Sequence, residues 1–348
     1  MLTLTFTVAD LARTRLAMSP LWEVVASIRL LKSPRPHPFH SRWARATRER
    51  LAGSELDLLF DLVDPAVWYL ADFLTPPPNS PLPDLESDLG ALRRVSPEQV
   101  RADLDVLAYA RRRPFGSLAE AQVPRRLRRP KPGELPSRRV AELYADPAEG
   151  IARLVDQVTT YWELAIAPYW GRIRTLLDGD LLYRGRRLGQ AGPAGLFEDL
   201  ADGVRWRDGT LSIRHRRFHG ERNLTGEGLL LTPSAFVWPT VYSSTIPPWQ
   251  PTLTYPARGI ATLWDDSARP TPSGLAAVLG SSRAGLLEQL DTPRSTTELA
   301  TRTRLTPGGV SQHLTALRAA GLVTRHRSGR TVLYARSNVA DALLDAST

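Results

Sequence analysis

Residues 295–336 read STTELATRTRLTPGGVSQHLTALRAAGLVTRHRSGRTVLYAR, and this stretch decides how the C-terminal part of the chain folds. Ser295-Thr-Thr-Glu298 is a capping box, in which the serine hydroxyl and the glutamate carboxylate each satisfy a free backbone N–H at the start of a short helix. Thr306 is a good N-cap and Pro307 takes the first helical position, where its missing N–H costs nothing, so a second helix spans 307–320. At about 100° per residue, Leu314 and Leu317 fall within about 40° of Val310 and form the buried side. Gly308, Ser311, Gln312 and Thr315 lie opposite. Gly321 ends the helix as a left-handed cap. Two strands, LVTRHR and RTVLYAR, then meet at Ser328-Gly329, with Arg325, Arg327 and Arg330 clustered at the turn.

Working outward, SGLAAVLGSSRAGLLEQL (273–290) supplies one or two helices with an apolar stripe of Leu275, Leu279, Leu286, Leu287 and Leu290. The exposed face of the 307–320 helix holds small and hydrogen-bonding residues, which is what reading a DNA major groove requires. Small residues permit close approach, and a glutamine amide can pair bidentately with adenine. The arginine-rich turn can grip phosphates or enter the minor groove. His313, about 60° from the core side, has two readings: a base contact, or a helix-flank residue that bonds backbone or phosphate.

The run from Thr296 to Arg336 resembles the core of ArsR-type winged-helix regulators in its Ser-x-His-Leu recognition helix, Leu-Arg-x-Ala-Gly-Leu-Val exit and Gly-Arg wing. The resemblance implies operator binding on double-stranded DNA, usually as a homodimer, with an effector controlling release. By position it makes Ser311, Gln312, His313 and Thr315 recognition-helix contacts and Arg327 and Arg330 wing contacts. Thr306, Gly308, Arg318 and Arg325 complete the expected DNA-binding set. Metal-sensing members carry a Cys-x-Cys-type site, and this chain has no cysteine, so thiolate metal sensing does not carry over. The opening FTVADLARTRLAMSPLWE resembles larger ArsR-like regulators whose front domain has no assigned chemistry. A sensor or dimerising role for it follows from architecture alone.

The absence of cysteine also excludes disulfides, iron–sulfur clusters and thiol nucleophiles. A formal charge of +9 suits a polyanion partner, but 43 of the 45 basic residues are arginine, which coding bias explains equally well. Residues 111–139 hold ten basic and two acidic residues. That stretch reads as an irregular surface loop, as an auxiliary DNA clamp or as a site for an acidic partner. No apolar run nears the roughly 20 residues that span a bilayer, and the N-terminus lacks the order of a secretory signal. A cytoplasmic, nucleoid-associated protein is expected.

The front of the chain reads as a mixed α+β domain over 1–264, as one body or as two subdomains, followed by a linker at 265–273 and the winged helix at 274–348. Helical patterning covers residues 9–31 with a second start at Pro20, then 43–68, then a helix from Ser96-Pro97-Glu98, and a long helix from Asp146-Pro147 that Pro168 should kink. After residue 200 strands take over. VRWR and TLSIR are joined by Asp208-Gly209, and GLLLTP, AFVWP, PTLTYP and IATLW are expected to follow as strands.

The pairs His37/His40 and His215/His219 have ligand-like spacing but lack partners, so no metal is expected. Tyr161, Trp162, Tyr169 and Trp170 can line an effector pocket or simply fill the core. There is no Gly-x-Ser-x-Gly elbow, GxxxxGK loop or His-Glu-x-x-His, and Glu163 and Asp180 read as surface or helix-cap charges. The expectation is therefore a regulator, more readily a repressor, with no cofactor and no enzymatic role. The alternatives are an enzyme or a nucleic-acid-organising factor that uses the winged helix for targeting or docking.

Overall fold

The computed structural model describes residues 1–33, 39–113, 115–121, 129–131, 133–264, 274–290, 293–303, 305–328 and 331–346. The chain forms two compact units, residues 1–264 and 265–348. The front unit opens with β1 (Leu2–Thr5), α1 (Val8–Arg13), β2 (Arg15–Leu16) and α2 (Pro20–Lys32). Helices α3 (Ser41–Arg50), α4 (Asp57–Leu62), α5 (Leu85–Arg93) and α6 (Pro97–Arg111) follow, then β3 (Gly116–Ser117) and helices α7 (Leu118–Ala121), α8 (Arg138–Ala145), α9 (Pro147–Tyr161) and α10 (Trp170–Phe197). Strands β4 (Val204–Arg207), β5 (Thr210–Ile213), β6 (Phe218–Asn223), β7 (Leu230–Ser234), β8 (Tyr242–Ser244) and β9 (Thr252–Pro256) close it. Mixed helix and strand is what the sequence leads one to expect here.

Two sheets organise these elements. One has the order β3-β6-β1-β5-β4, and the other β2-β7-β9-β8. The β4–β5 hairpin turns at Asp208 (φ 48°) and Gly209 (φ 75°), the left-handed pair that a two-residue turn of this hand demands. β1 then pairs antiparallel to β5 and parallel to β6. β7 is wholly buried despite Pro233, because β2 pairs only with Leu230 and Leu231 and leaves one flank of the strand unladdered at the proline.

Carboxylates stitch helices to these strands. Asp10, which closes a capping box with Thr7, accepts the N–H groups of Gly226 (2.8 Å) and Gly228 (3.0 Å). A side chain at Gly228, where φ is +71°, would strike the backbone of Arg13, so this approach requires glycine. Glu23 accepts from Ala235 N–H, and Asp88 from Ser19 and Leu21. Burial pushes the Glu23 carboxyl up to about 8, which favours its protonated form.

Several expectations are corrected. AFVWP is not a strand, because Ala235 and Phe236 give their N–H groups to the Glu23 and Ser234 side chains rather than to a ladder. IATLW begins instead with a 3-10 turn, Ile260–Thr262. Residues 111–139 are not one loop: β3 adds an edge strand beside β6, and Arg112 pairs with Glu134 (2.7 Å), Arg139 with Asp57 (3.1 Å) and Arg138 with Glu142 (3.0 Å). Residues 114, 122–128 and 132 of that stretch, like the 265–273 linker and His37, lie outside the described residues. Asp180 is no surface charge. It is 2% exposed and accepts from Tyr255 Oη (2.6 Å) and Arg258 N–H (3.1 Å), with Arg184 Nε 3.9 Å away. Pro168 does break the long helix, through a π turn (Trp162–Ile166) and a 3-10 turn (Ala167–Tyr169).

The second unit contains α11 (Gly274–Leu279), α12 (Ser281–Glu288), β10 (Arg294–Ser295), α13 (Thr296–Thr303), α14 (Pro307–Ala319), β11 (Val323–Ser328), β12 (Thr331–Arg336) and α15 (Asn338–Ala346). Its sheet has the order β10-β12-β11. Leu275, Leu286, Leu287, Leu290, Leu299, Val310, Leu314 and Leu317 form one core, with Leu279 packed against it.

Candidate nucleic-acid interface

α13 and α14 are set by local chemistry. Ser295 N–H and Oγ both donate to Glu298 Oε2 (2.7 and 2.8 Å), while Glu298 N–H donates back to Ser295 Oγ (3.3 Å), so the capping box is closed. Those bonds hold the Glu298 carboxyl below the usual range, so it stays an anion engaged with its own helix. Thr306 Oγ1 caps α14 by accepting from Gly309 N–H (3.2 Å).

The far end of α14 is a full Schellman motif: Gly321 (φ 71°) donates to Arg318 O (3.0 Å) and Leu322 to Leu317 O (2.9 Å). Leu317 and Leu322 are both buried beside this turn. The motif fixes where the chain leaves the helix and enters β11. Ser337 Oγ donates to Gly321 O (2.7 Å), tying the exit of β12 to the same point.

Between these fixed ends α14 has two unlike sides. Val310, Leu314 and Leu317 are buried. Thr306, Gly308, Ser311, Gln312, Thr315 and Arg318 are exposed, and His313 is half-buried on the flank. No carboxylate lies on the exposed side. Thr315 spends its hydroxyl proton on Ser311 O (2.9 Å), which leaves the oxygen lone pairs and the methyl group facing outward. Among the described residues nothing hydrogen-bonds the Gln312 amide, and the side chain is exposed.

β11 and β12 pair antiparallel from Val323↔Arg336 to Ser328↔Thr331. Arg325 is exposed on β11. The Arg327 side chain, Gly329 and Arg330 lie outside the described residues. Arg336 Nε instead pairs with Asp341 (3.1 Å).

The other candidates fall elsewhere. Tyr161 is buried and bonded to Ser27 Oγ (2.9 Å), Trp162 packs edge-on to Trp170, and Tyr169 packs against Trp264, so this quartet belongs to the core. His40 Nδ1 accepts from Trp264 Nε1 (2.6 Å), and His215 Nε2 lies 2.9 Å from Ser243 Oγ. Among the described residues, no three of His, Asp and Glu converge as a cation would require.

Two family models match the chain. One is a family of unknown function (DUF5937) over residues 1–261, and the other a helix-turn-helix domain over residues 271–326. Among solved structures, NolR from Sinorhizobium fredii is 29% identical over 23% of this chain and 82% of its own, with a TM-score of 0.20. Reduced HlyU from Vibrio cholerae is 29% identical over 24% of this chain and 92% of its own, with a TM-score of 0.19. No curated protein matches.

Proposed function

Since the chain belongs to a family of unknown function (DUF5937) and carries an ArsR-type helix-turn-helix unit behind the family's region, we propose that it is a sequence-specific transcription regulator. On this reading it is a homodimeric repressor, acting on the nucleoid, whose two copies lay α14 in successive major grooves of a palindromic operator. The carrying observation is the exposed, acid-free side of α14, held rigid by a cap at each end. Gln312 reads a base edge, Gly308 and Ser311 allow close approach, and Arg318 with the β11 arginines takes phosphates. Exposed Val278 on α11 and Val339 on α15 offer apolar surface for a second copy. Half-sites then lie about one turn, roughly 34–36 Å, apart. The chain acts by binding and not by turnover, since none of the catalytic motifs sought in the sequence is present.

The test is a footprint on the DNA upstream of its own coding region, at low ionic strength. A protected palindrome is expected. Gln312→Ala should weaken specific binding by about 1–3 kcal/mol and relax preference at one position per half-site. Arg325→Ala should weaken binding evenly across sequences and lower the salt slope by about 1. Unchanged affinity and base preference in Gln312→Ala, or no binding at all, would overturn the reading.

A further inference from the structure

The front domain holds a cavity of about 630 Å³ between α2, the segment 65–72, the β5–β6 connection and β8. That volume falls within the range of about 300–1,000 Å³ typical of small-molecule sites. Its walls are built from flat rings. Trp22 stacks with Tyr242 (centroids 6.0 Å, interplanar 30°), and Trp68 stacks with Phe218 (5.4 Å, 20°).

Four guanidinium groups also border it: Arg29, Arg214, Arg216 and Arg217. None of the four forms an ion pair with a carboxylate among the described residues, whereas Arg93, Arg139, Arg187 and Arg222 in the same domain each do. Arg29 is pre-positioned, because its Nε donates to Tyr242 Oη (3.1 Å) and Nη1 to Asp64 O (3.2 Å), with the guanidinium over the Tyr242 ring. The single carboxyl on the wall, Asp72, is buried and hydrogen-bonded by Tyr69 Oη (3.2 Å), and burial raises it toward the neutral acid. Among the described residues no carboxylate pairs with these four arginines, so the wall carries surplus positive charge.

A second observation points to an absent partner. Thr245 borders the cavity at 1% exposure, and its Oγ1 has no hydrogen-bond partner among the described residues. A buried hydroxyl left unmatched is costly, and a ligand polar atom would relieve it. We infer that this cavity binds a planar aromatic carboxylate, its ring against the tryptophan and tyrosine faces and its anion on the arginines. The inference concerns the front domain alone and does not depend on DNA binding.

The test uses the full chain and four probes, 2-naphthoate, 4-hydroxybenzoate, indole-3-acetate and cinnamate, each beside its neutral amide, with titration calorimetry and tryptophan quenching as readouts. At least one acid should saturate at one site per chain, and its amide should bind tenfold or more weakly. Arg214→Ala/Arg216→Ala, at exposed positions without ion pairs, should fold normally and lose about tenfold in affinity for the acid while sparing the amide. Thr245→Val, nearly isosteric, should weaken both the acid and its amide. No saturable binding by any of the four, equal affinity for acid and amide, or binding indifferent to both variants would overturn the inference. Operator footprints read separately would leave the regulator reading standing in each of those cases.

Discussion

Around α14, the bonds that fix the fold join residues three to five apart: Ser295 with Glu298, Thr306 with Gly309, Gly321 with Arg318 and Leu322 with Leu317. In the front domain the corresponding bonds join Asp10 to Gly226, Glu23 to Ala235, Asp103 to Trp249 and Asp180 to Tyr255, separations of 216, 212, 146 and 75 residues. A unit built from local caps presents a stiff, self-sufficient surface. A domain keyed by buried carboxyls depends on each distant partner arriving.

The largest effect that would break this contrast is expected at Asp180. Asp180→Ala removes the counter-charge of Arg184, itself fully buried and left with only the Glu198 and Asp199 carbonyls, and deprives Tyr255 and Arg258 of their acceptor. Removing one member of such a buried pair costs about 3–5 kcal/mol. Hydrogen exchange by mass spectrometry should show protection falling across the front domain while peptides over 306–323 keep theirs. Equal loss in both units would refute the claim that their cores are independently keyed. Leu314→Ala is the converse. Truncating a fully buried leucine of the smaller core costs about 2–5 kcal/mol, so protection should collapse over 306–323 and DNA binding with it, and the front domain should not respond.

A smaller effect comes from pH. Glu23 is raised to about 8 in the folded chain from an ordinary 4.5, so the folded state keeps a proton that the unfolded state releases. The stability this contributes is complete below about 4.5 and is lost as pH rises through 8. Asp88, raised to about 6, acts in the same direction at lower pH. Between pH 7 and 9 the front domain's Tm should therefore fall by several degrees, and Glu23→Gln should flatten that fall, because an amide still accepts from Ala235 and cannot ionise. A fall of the same size in the variant would remove Glu23 as its source.

The same contrast explains what the sequence could and could not disclose. The capping box, the Thr306-Pro307 start, the Gly321 stop and the Asp208-Gly209 hairpin are local signals, and each is found where its residues stand. AFVWP failed because the competitor for its N–H groups, Glu23, lies far upstream. FHGERN, over 218–223, shows no apolar alternation, yet it becomes a strand between β3 and β1 because its neighbours on both sides supply the ladder. Asp180 looked isolated since Tyr255 and Arg258 are remote in sequence. Four of the rings that line the cavity, Trp22, Trp68, Phe218 and Tyr242, come from four separate segments, while the adjacent quartet, Tyr161 to Trp170, is packing.

The smallest expected effect separates stability from binding on the surface that matters most. An added Cβ at Gly308 would meet nothing within 4 Å, and its φ is not in the left-handed region. Replacing glycine by alanine in a helix is favourable by up to about 1 kcal/mol, so Gly308→Ala should leave the helical unit as stable as before or slightly more so. The methyl group nevertheless sits on the side of α14 that is to approach a duplex. Titration with the footprinted operator should therefore show weaker binding in a protein whose thermal stability has not dropped, a combination that no loss of folding can produce. Should the variant bind as tightly as the parent, the first turn of α14 stands clear of the groove, and base reading must begin no earlier than Ser311.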